Sequence, residues 1–197
     1  KCILVSTDKA CQPVNVYGSS KFIAERLFTN FDFNSEETIF ASVRYGNVIA
    51  SRGSFIPLWL DLINKEEDIK VTSMGCSRFL FTLSDAVDTV LGALDNAEGG
   101  EVFIPKIDSL EKITGKSISY EIMGMRPGEK IHEDMLAETE LPFTYEVDDR
   151  LMVVTPQYTR KNYSYNKKYL GKHYNSSLHL CHDINALADL INDGISQ

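Results

Sequence analysis

Two small groups of chemically competent side chains lie close together near the start of the chain. Thr7, Asp8 and Lys9 directly follow an apolar stretch, and Tyr17 and Lys21 are four positions apart. Residues at that spacing share one face of a helix. An ammonium group beside a phenol favours the phenolate, and a phenolate can take up a proton near neutral pH. The pattern therefore predicts a proton-transfer site.

The surrounding sequence predicts the elements that must hold these side chains. The run 2–5 is apolar and β-branched, which indicates a buried strand ending at the polar residues. Open α/β sheets bind their ligands at that carboxyl edge. The next element should be an amphipathic helix from Asn15 to about Phe31, which carries Tyr17 and Lys21. Its apolar stripe would be formed by Val16, Ser20, Ile23, Ala24, Leu27 and Phe28.

Strands and helices should then alternate along the middle of the chain. Strands are predicted at 38–45, 69–72 and 101–105, and helices at 55–64 and 85–96. This alternation is typical of a mostly parallel sheet with helical crossovers, and so predicts an α/β fold.

The pattern changes after Pro105. We expect a half-exposed strand at 116–123, a tight turn at 126–130, a strand at 145–154 and a terminal helix at 183–192. A helix should follow the tight turn and carry His132 and Glu133, with His132 in a structural role because no second histidine lies one turn away. A second Tyr-x-x-x-Lys pair, Tyr163 and Lys167, has no strand before it and is expected on the solvated surface.

The composition of the chain limits its partners. The 197 residues carry a net charge of −8, which argues against binding nucleic acid or an anionic membrane over the whole surface. No apolar run approaches the ~20 residues that span a bilayer. The four cysteines have neither C-x-x-C spacing nor the histidine pattern of a zinc site. Reduced thiols and a cytoplasmic location are therefore expected.

Four segments of the chain resemble, in the same order, the extended short-chain dehydrogenase/reductase superfamily. They are 6–21, 44–54, 100–106 and 125–133. The fuller match is to its branch of UDP-N-acetylglucosamine 4,6-dehydratases (5-inverting) and CapD-like polysaccharide-biosynthesis proteins. The resemblance implies the C-terminal part of an NAD(P)-binding, Rossmann-like doubly wound parallel sheet with a small α+β substrate-binding lobe. It divides the chain into a Rossmann-like half, 1–49 and 80–105, and a lobe, 50–79 and 106–197.

The resemblance also predicts a longer enzyme. In the superfamily, a glycine-rich turn that cradles the dinucleotide pyrophosphate precedes the catalytic tyrosine, and no such turn follows a strand in this sequence. We therefore expect this chain to be the C-terminal part of a larger polypeptide, which would form a homo-oligomer.

Each matching residue acquires an implied role. The catalytic residues would be Thr7, Asp8, Lys9, Tyr17 and Lys21. The cofactor NADP, with NAD left open, would contact Tyr17, Lys21, Val48, Ile49, Ala50, Ser51 and Arg52. A UDP-sugar substrate would contact Asn47, Arg78, Arg126, Tyr174 and Ser176, and no metal is expected. From the residues alone, 46–54 could equally be an ordinary strand–helix turn, and Arg78 a salt-bridged structural residue.

Three functions are compatible with these residues. A 4,6-dehydratase needs Tyr17 for oxidation at sugar carbon 4, then Lys9 as base at carbon 5 and Asp8 as acid at the leaving oxygen. A UDP-sugar 4-epimerase of the same superfamily would share Thr7, Tyr17 and Lys21 but would not need the Asp8–Lys9 pair, and so ranks second. The third alternative is a non-catalytic fragment that binds sugar nucleotides.

Overall fold

A computed structural model describes residues 1–51, 53–106, 109–110, 119–178, 180–181 and 191. The helices are α1 (Val16–Asn34), α2 (Phe55–Asn64) and α3 (Leu83–Asn96), with short 3-10 helices at Asp8–Ala10 and Glu138–Phe143. The strands are β1 (Cys2–Thr7), β2 (Phe40–Tyr45), β3 (Asn47–Val48), β4 (Ile69–Val71), β5 (Arg78–Phe81), β6 (Val102–Pro105), β7 (Ser109–Leu110), β8 (Tyr120–Ile122), β9 (Asp134–Leu136), β10 (Thr144–Glu146), β11 (Leu151–Val154), β12 (Lys167–Lys168), β13 (Tyr174–Asn175) and β14 (Leu180–Cys181).

The main sheet has six strands in the order β1-β2-β6-β11-β10-β12. Its first three strands are parallel, and β11, β10 and β12 join them in antiparallel pairs. The predicted α/β class is therefore confirmed, with the parallel part where the strand–helix alternation indicated it. The division of the chain into a Rossmann-like half (1–49 and 80–105) and a lobe (50–79 and 106–197) stays a prediction, although β11 of the lobe pairs directly with β6.

Both faces of the main sheet carry apolar side chains. Along β11, Met152 and Val154 pack in one core cluster, whereas Leu151 and Val153 pack in another, as the alternation of side chains along a strand requires. The second cluster also contains Ala93 of α3. The sheet is thus covered on two sides, and its carboxyl edge is left free to hold polar groups.

Helix α1 does not bury its predicted apolar stripe against the described chain. Val16 is 86% exposed and Ile23 is 57% exposed, whereas Glu25 and Asp32 are buried. The reason is ionic pairing, because Arg44 of β2 binds Glu25 and the side chain of Lys161 binds Asp32. The sheet-facing side of α1 is therefore set by polar partners.

Three local predictions after residue 105 are corrected. No helix carries His132 and Glu133, because the chain continues into β9, which pairs with β13 and buries Met135. The strand expected at 145–154 is a hairpin of β10 and β11, closed by a turn in which Asp148 Oδ1 accepts hydrogen bonds from two backbone N–H groups. Tyr163 is half-buried, and its hydroxyl donates to the carbonyl oxygen of Gly99.

Other predictions cannot be compared with the structure. Most of the terminal helix expected at 183–192 lies outside the described residues, as do 116–118 of the strand expected at 116–123. Its remaining part forms β8. Among the helices that the structure describes, none combines the length and apolar character needed to cross a membrane.

Candidate active site

The parallel pairing of β1 and β2 brings two predicted site residues together. Thr7 lies opposite Tyr45 in the register, so the segments that follow both strands leave the sheet at the same edge. There Lys9 Nζ donates a hydrogen bond of 2.9 Å to Asn47 Oδ1. The predicted catalytic lysine and a predicted substrate-binding residue are therefore in direct contact.

Asp8 lies at the centre of this edge and is fully buried. Its Oδ1 accepts hydrogen bonds from Thr7 Oγ1 at 2.8 Å and from Lys9 Nζ at 2.9 Å. Its Oδ2 has no hydrogen-bond partner among the described residues. Since Oδ1 already accepts two hydrogen bonds, Oδ2 is the oxygen of Asp8 that a ligand could still contact.

The helix that follows places Tyr17 and Lys21 beside this edge. Lys21 Nζ donates to the carbonyl oxygen of Val5 at 3.0 Å, which ties the lysine to β1. Tyr17 is 54% exposed, so its phenol is accessible to a ligand. Burial raises the pKa of Tyr45, and the nearby Tyr17 raises that pKa further. The two phenols are therefore electrostatic neighbours at the end of β2.

Gly18 allows α1 to approach the Asp8–Lys9 segment closely. A Cβ at this position would overlap the carbonyl oxygen of Lys9. The helix start is fixed by Asn15, whose Oδ1 accepts a hydrogen bond of 2.8 Å from the Gly18 N–H. Sequence reasoning began the helix at Asn15 but did not identify its capping role or the need for Gly18, although an asparagine followed three positions later by a glycine was the available signal.

The predicted tight turn docks on this helix start. Asn15 Nδ2 donates to the carbonyl oxygen of Gly128 at 2.8 Å, and Lys130 Nζ donates to that of Cys11 at 2.7 Å. Gly128 has a φ of +83°, which favours glycine. The exposed side chain of Arg126 is thereby presented next to the site, where its substrate role stays a prediction.

Arg78 holds the segment that leads to β9. Its Nη1 donates to the carbonyl oxygens of Ser77 and Ile131, and its Nη2 donates to that of Lys130. These bonds favour the structural alternative for Arg78, and substrate contact by its remaining donors stays a prediction. The Nε atom lies 4.0 Å from Glu133 Oε1, so the arginine also borders an acidic group.

Glu133 is the functional candidate that sequence reasoning did not select. It is buried, and its Oε2 has no hydrogen-bond partner within the described part of the chain. Burial raises the pKa of this carboxyl group, and the negative charge of Asp8 raises it further. Its neighbour His132 does have a structural contact, because Nδ1 lies 2.7 Å from Ser77 Oγ.

Tyr174 and Ser176 are buried rather than presented to a ligand. The Tyr174 ring stacks on Phe79 with 5.3 Å between centroids. Ser176 Oγ accepts a hydrogen bond of 2.9 Å from the backbone N–H of Glu133. A substrate could reach these two buried side chains only if the segment 174–176 moved. Their role in substrate binding therefore stays a prediction.

The predicted cofactor loop is only partly accessible. Val48 is half-buried in β3, Ile49 packs in a core cluster, and Ser51 is exposed. Ala50 adopts a φ of +57°, the left-handed conformation that a tight turn after a strand requires. Arg52 lies outside the described residues. The loop could therefore meet a ligand mainly through its backbone and through Ser51.

These elements define a class of protein. A parallel strand ends in Thr-Asp-Lys, and the following helix carries an accessible tyrosine with a lysine one turn later, which is the active-site arrangement of the extended short-chain dehydrogenase/reductase class. The sequence model of one family, described as polysaccharide biosynthesis protein, matches residues 1–155. The chain belongs to that family, which confirms the resemblance seen in its motifs.

Known relatives agree with this placement. The chain is 41% identical over 158 residues to the UDP-N-acetylglucosamine 4,6-dehydratase (inverting) of Campylobacter jejuni, covering 76% of this chain and 47% of that protein. It is 37% identical over 152 residues to a UDP-glucose 4-epimerase of Rickettsia felis, covering 72% of this chain and 45% of that protein. The X-ray structure of Pen from Bacillus thuringiensis superimposes with a TM-score of 0.87 at 30% identity, covering 99% of this chain and 62% of that one. The chain thus spans about half the length of these curated relatives.

Proposed function

We propose that this chain is the catalytic and substrate-binding part of a nucleotide-sugar 4,6-dehydratase that acts on UDP-N-acetylglucosamine. The observation that carries the proposal is the pairing of Lys9 with the buried Asp8 next to the helix that carries Tyr17, in which Asp8 Oδ2 has no hydrogen-bond partner among the described residues. The name of the Campylobacter relative supports the same reaction and substrate. The assays below use the full-length enzyme, meaning a polypeptide that contains these residues and a dinucleotide-binding segment.

The residues fit a nicotinamide cofactor, for which we propose NADP. The exposed phenol of Tyr17 and the ammonium of Lys21 are donors of the kind that can bind a ribose hydroxyl, and the backbone of 48–51 lies beyond the end of β2. When bound, the cofactor supplies the oxidation of carbon 4 and the later reduction at carbon 6. Arg52 is proposed to belong to the same site.

The first proton transfers are assigned to Tyr17 and Lys9. The removal of the 4-hydroxyl proton is assigned to Tyr17. The ketone formed at carbon 4 makes the hydrogen on carbon 5 acidic, and Lys9 Nζ is assigned as the base that removes it. The Nζ of Lys9 is held in position by hydrogen bonds of 2.9 Å to Asp8 and to Asn47.

Asp8 completes the elimination. Its Oδ2 donates a proton to the 6-hydroxyl group, which leaves as water while the double bond forms between carbons 5 and 6. Thr7, whose hydroxyl donates to Asp8 Oδ1, would also help to position the sugar near the 4-hydroxyl group. Asn47 and Arg126 are proposed to bind the nucleotide sugar, together with Arg78, Tyr174 and Ser176.

Two further properties of the full-length enzyme are proposed. We propose a cytoplasmic location for the enzyme. The described cysteines Cys2, Cys11 and Cys76 are free thiols, as is usual in that reducing compartment. We also propose a homo-oligomer.

The experiment compares Tyr17→Phe with Lys9→Ala in the full-length enzyme mixed with UDP-N-acetylglucosamine. Tyr17→Phe should abolish formation of reduced nicotinamide, because the 4-hydroxyl group keeps its proton. Lys9→Ala should still form reduced nicotinamide but should exchange the carbon 5 hydrogen ~10²–10⁴-fold more slowly. Absorbance measures the first step, and deuterium uptake followed by NMR measures the second. Wild-type exchange rates in Lys9→Ala would show that the base lies elsewhere.

A second candidate function, UDP-sugar 4-epimerase, is favoured by the name of the Rickettsia relative and shares Tyr17 and Lys21. Product analysis of the wild-type enzyme decides between the two. Loss of water identifies a dehydratase, whereas return of a carbon 4 epimer without loss of water identifies an epimerase. A non-catalytic sugar-nucleotide-binding protein would give neither product.

A further inference from the structure

The tight turn at 126–130 is closed by its own hydrogen bonds. The N–H of Glu129 donates to the carbonyl oxygen of Arg126 at 3.1 Å, and Glu129 Oε2 accepts from the N–H of Arg126 at 3.2 Å. The end of the turn is held by Arg78, whose Nη2 donates to the carbonyl oxygen of Lys130 at 3.0 Å. The backbone that carries Arg126 is therefore fixed relative to the rest of the turn.

Asn15 joins this turn to the start of α1. Its Oδ1 accepts a hydrogen bond from the N–H of Gly18, and its Nδ2 donates to the carbonyl oxygen of Gly128, both at 2.8 Å. The two segments are in close contact, because a Cβ at Gly128 would come within 3.1 Å of the Asn15 Cβ. Tyr17 lies in the first turn of α1, between Asn15 and Gly18. One side chain thus connects the backbone that presents Arg126 with the backbone that carries Tyr17.

Lys130 makes a second connection, to the segment that carries Asp8 and Lys9. Its Nζ donates to the carbonyl oxygen of Cys11 at 2.7 Å, and the N–H of Cys11 donates to the carbonyl oxygen of Asp8 at 3.0 Å. The side chain of Lys130 is only 12% exposed, and its Nζ also lies 3.4 Å from Asp134 Oδ2. The turn is therefore attached to the end of the 3-10 helix as well as to the start of α1.

We propose that Asn15 and Lys130 are positioning residues that couple nucleotide binding at Arg126 to the placement of the groups assigned to catalysis. The coupling rests on the proposed function, in which Arg126 binds the nucleotide sugar and Tyr17 acts on its sugar ring. Asn15 and Lys130 themselves do not contact the reacting atoms. Because the turn is attached to both segments, a nucleotide held by Arg126 fixes the turn, the 3-10 helix and the start of α1 in one arrangement. Binding energy from the part of the substrate that does not react is thereby used to orient the part that does.

The test is a double-mutant cycle between Asn15→Ser and Arg126→Ala in the full-length enzyme, with UDP as the probe and calorimetry as the measurement. Serine still caps α1, but its side chain ends one atom short of the amide nitrogen that reaches Gly128. Asn15→Ser should weaken UDP binding about 3- to 10-fold, the loss expected from one hydrogen bond. With Arg126→Ala already present, the same substitution should change UDP affinity by less than about 2-fold, because the side chain that the turn presents is gone.

Turnover and stability separate positioning from a general structural role. At saturating UDP-N-acetylglucosamine, Asn15→Ser should lower kcat by ~10-fold, because small misplacements of reacting groups slow the reaction. Its urea unfolding midpoint should stay close to that of the wild type, since the helix keeps its cap. Asn96→Ser is the matched control, since it removes a bond of the same kind and length, from Asn96 Nδ2 to the carbonyl oxygen of Gly92 at 2.8 Å. The control should change neither UDP affinity nor kcat.

Two results would overturn the proposal. One is an equal loss of UDP affinity from Asn15→Ser with and without Arg126. The other is a wild-type UDP affinity or a wild-type kcat in Asn15→Ser. If Asn15→Ser does not fold, Lys130→Met is put through the same cycle with the same expectations. Failure of the proposed function is seen separately, as a wild-type enzyme that releases no water, and the cycle with UDP does not depend on that reaction.

Discussion

Two clusters of buried charge lie next to each other at the carboxyl edge of the main sheet, and they differ in how completely they are paired. In the first, Arg44 is almost fully buried between Glu25 and Glu140. Its Nε and Nη2 donate to Glu25 at 3.1 and 2.7 Å, and its Nη1 and Nη2 donate to Glu140 at 2.9 and 3.0 Å. Ser6 Oγ adds a bond of 2.7 Å to Glu25. We call this the paired cluster.

The second cluster begins two residues after Ser6, in the 3-10 helix that follows β1. It contains Asp8, Lys9 and Glu133, and both carboxyl groups keep one oxygen without a partner in the described chain. Leaving such an atom unpaired in a buried site costs about 1–3 kcal/mol, more for a charged group. We call this the unpaired cluster.

The difference indicates separate tasks for the two clusters. Full pairing offsets the cost of burying a charge, so removing one partner leaves an uncompensated charge and is strongly destabilising. Incomplete pairing costs stability but leaves atoms that can exchange protons with a substrate, as is expected where function and stability compete. The paired cluster therefore holds β2, α1 and the 138–143 helix together, and the proposed chemistry is assigned to the unpaired cluster.

The largest expected effect is on activity and comes from the unpaired cluster. Asp8→Asn keeps an oxygen that accepts from Thr7 and Lys9 but removes the acid. Turnover should therefore fall ~10²–10⁴-fold, whereas the free energy of unfolding should change by less than about 1 kcal/mol. Both are measured in the full-length enzyme, by product formation and by urea unfolding. Asp88→Asn, on the exposed side of α3, is the control. A loss of about 3–5 kcal/mol in the free energy of unfolding, as expected when a paired charge is left alone, would contradict the separation of tasks between the two clusters.

The second prediction concerns the paired cluster. Arg44→Met removes the cation and leaves two carboxylates without their shared partner, so unfolding should become easier by about 3–5 kcal/mol. The measurement is the urea unfolding midpoint at constant slope. Lys65→Met removes a fully exposed partner of Asp61 and should leave the midpoint unchanged. A midpoint shift as small as that of the control would show that the paired cluster does not carry stability.

The elements around both clusters could largely be predicted from the sequence, because their signals are local. The run before Thr7 predicted β1, and the spacing of Tyr17 and Lys21 predicted that they share a helix. The side chains proposed to be catalytic follow β1 as expected, whereas the contact between Lys9 and Asn47 was found only in the structure. Their assigned roles remain predictions that the variants above test.

The pairing within the clusters could not be predicted, because it depends on contacts between distant residues. Glu25 is buried only because Arg44, on another element, binds it, and this pairing places the apolar residues of α1 outside. Glu133 was expected on a helix, but pairing of β9 with β13, about 40 residues later, makes its segment extended. Composition and periodicity do not contain that information.

The third prediction moves the unpaired cluster without changing any charge. Gly18→Ala places a methyl group against the carbonyl oxygen of Lys9, so α1 must shift. The expected cost is about 1–3 kcal/mol of stability and a loss of turnover of up to ~10²-fold from the displacement of Tyr17. Gly92→Ala is the matched control, since its methyl group meets only the flexible end of Leu151 at 3.3 Å and should be neutral or stabilising. Equal behaviour of the two variants would contradict the close approach at Gly18.

The smallest expected effect concerns how the free energy of unfolding changes with pH. Glu140 of the paired cluster and Glu133 of the unpaired cluster should contribute to this change with opposite signs. Burial acts to raise the pKa of Glu140, but the charge of Arg44 and its hydrogen bonds outweigh burial and the net pKa is lowered. Its contribution to stability is therefore present above the unfolded value of about 4.3 and is lost as the pH falls. The pKa of Glu133 is raised, so its burial costs stability as the pH rises above about 4.3.

Replacing each glutamate by glutamine should therefore change the pH profile in opposite directions. Relative to wild type, Glu140→Gln should lose less stability as the pH is lowered from 5 to 3, because it has no carboxylate to protonate. Glu133→Gln should instead gain relative stability as the pH is raised from 4 to 7, by about 1.4 kcal/mol for each unit by which burial raises that pKa. Urea unfolding midpoints at several pH values measure both slopes. Slopes of the same sign in the two variants would mean that the clusters do not differ in pairing, since only an uncompensated buried carboxyl group resists ionisation.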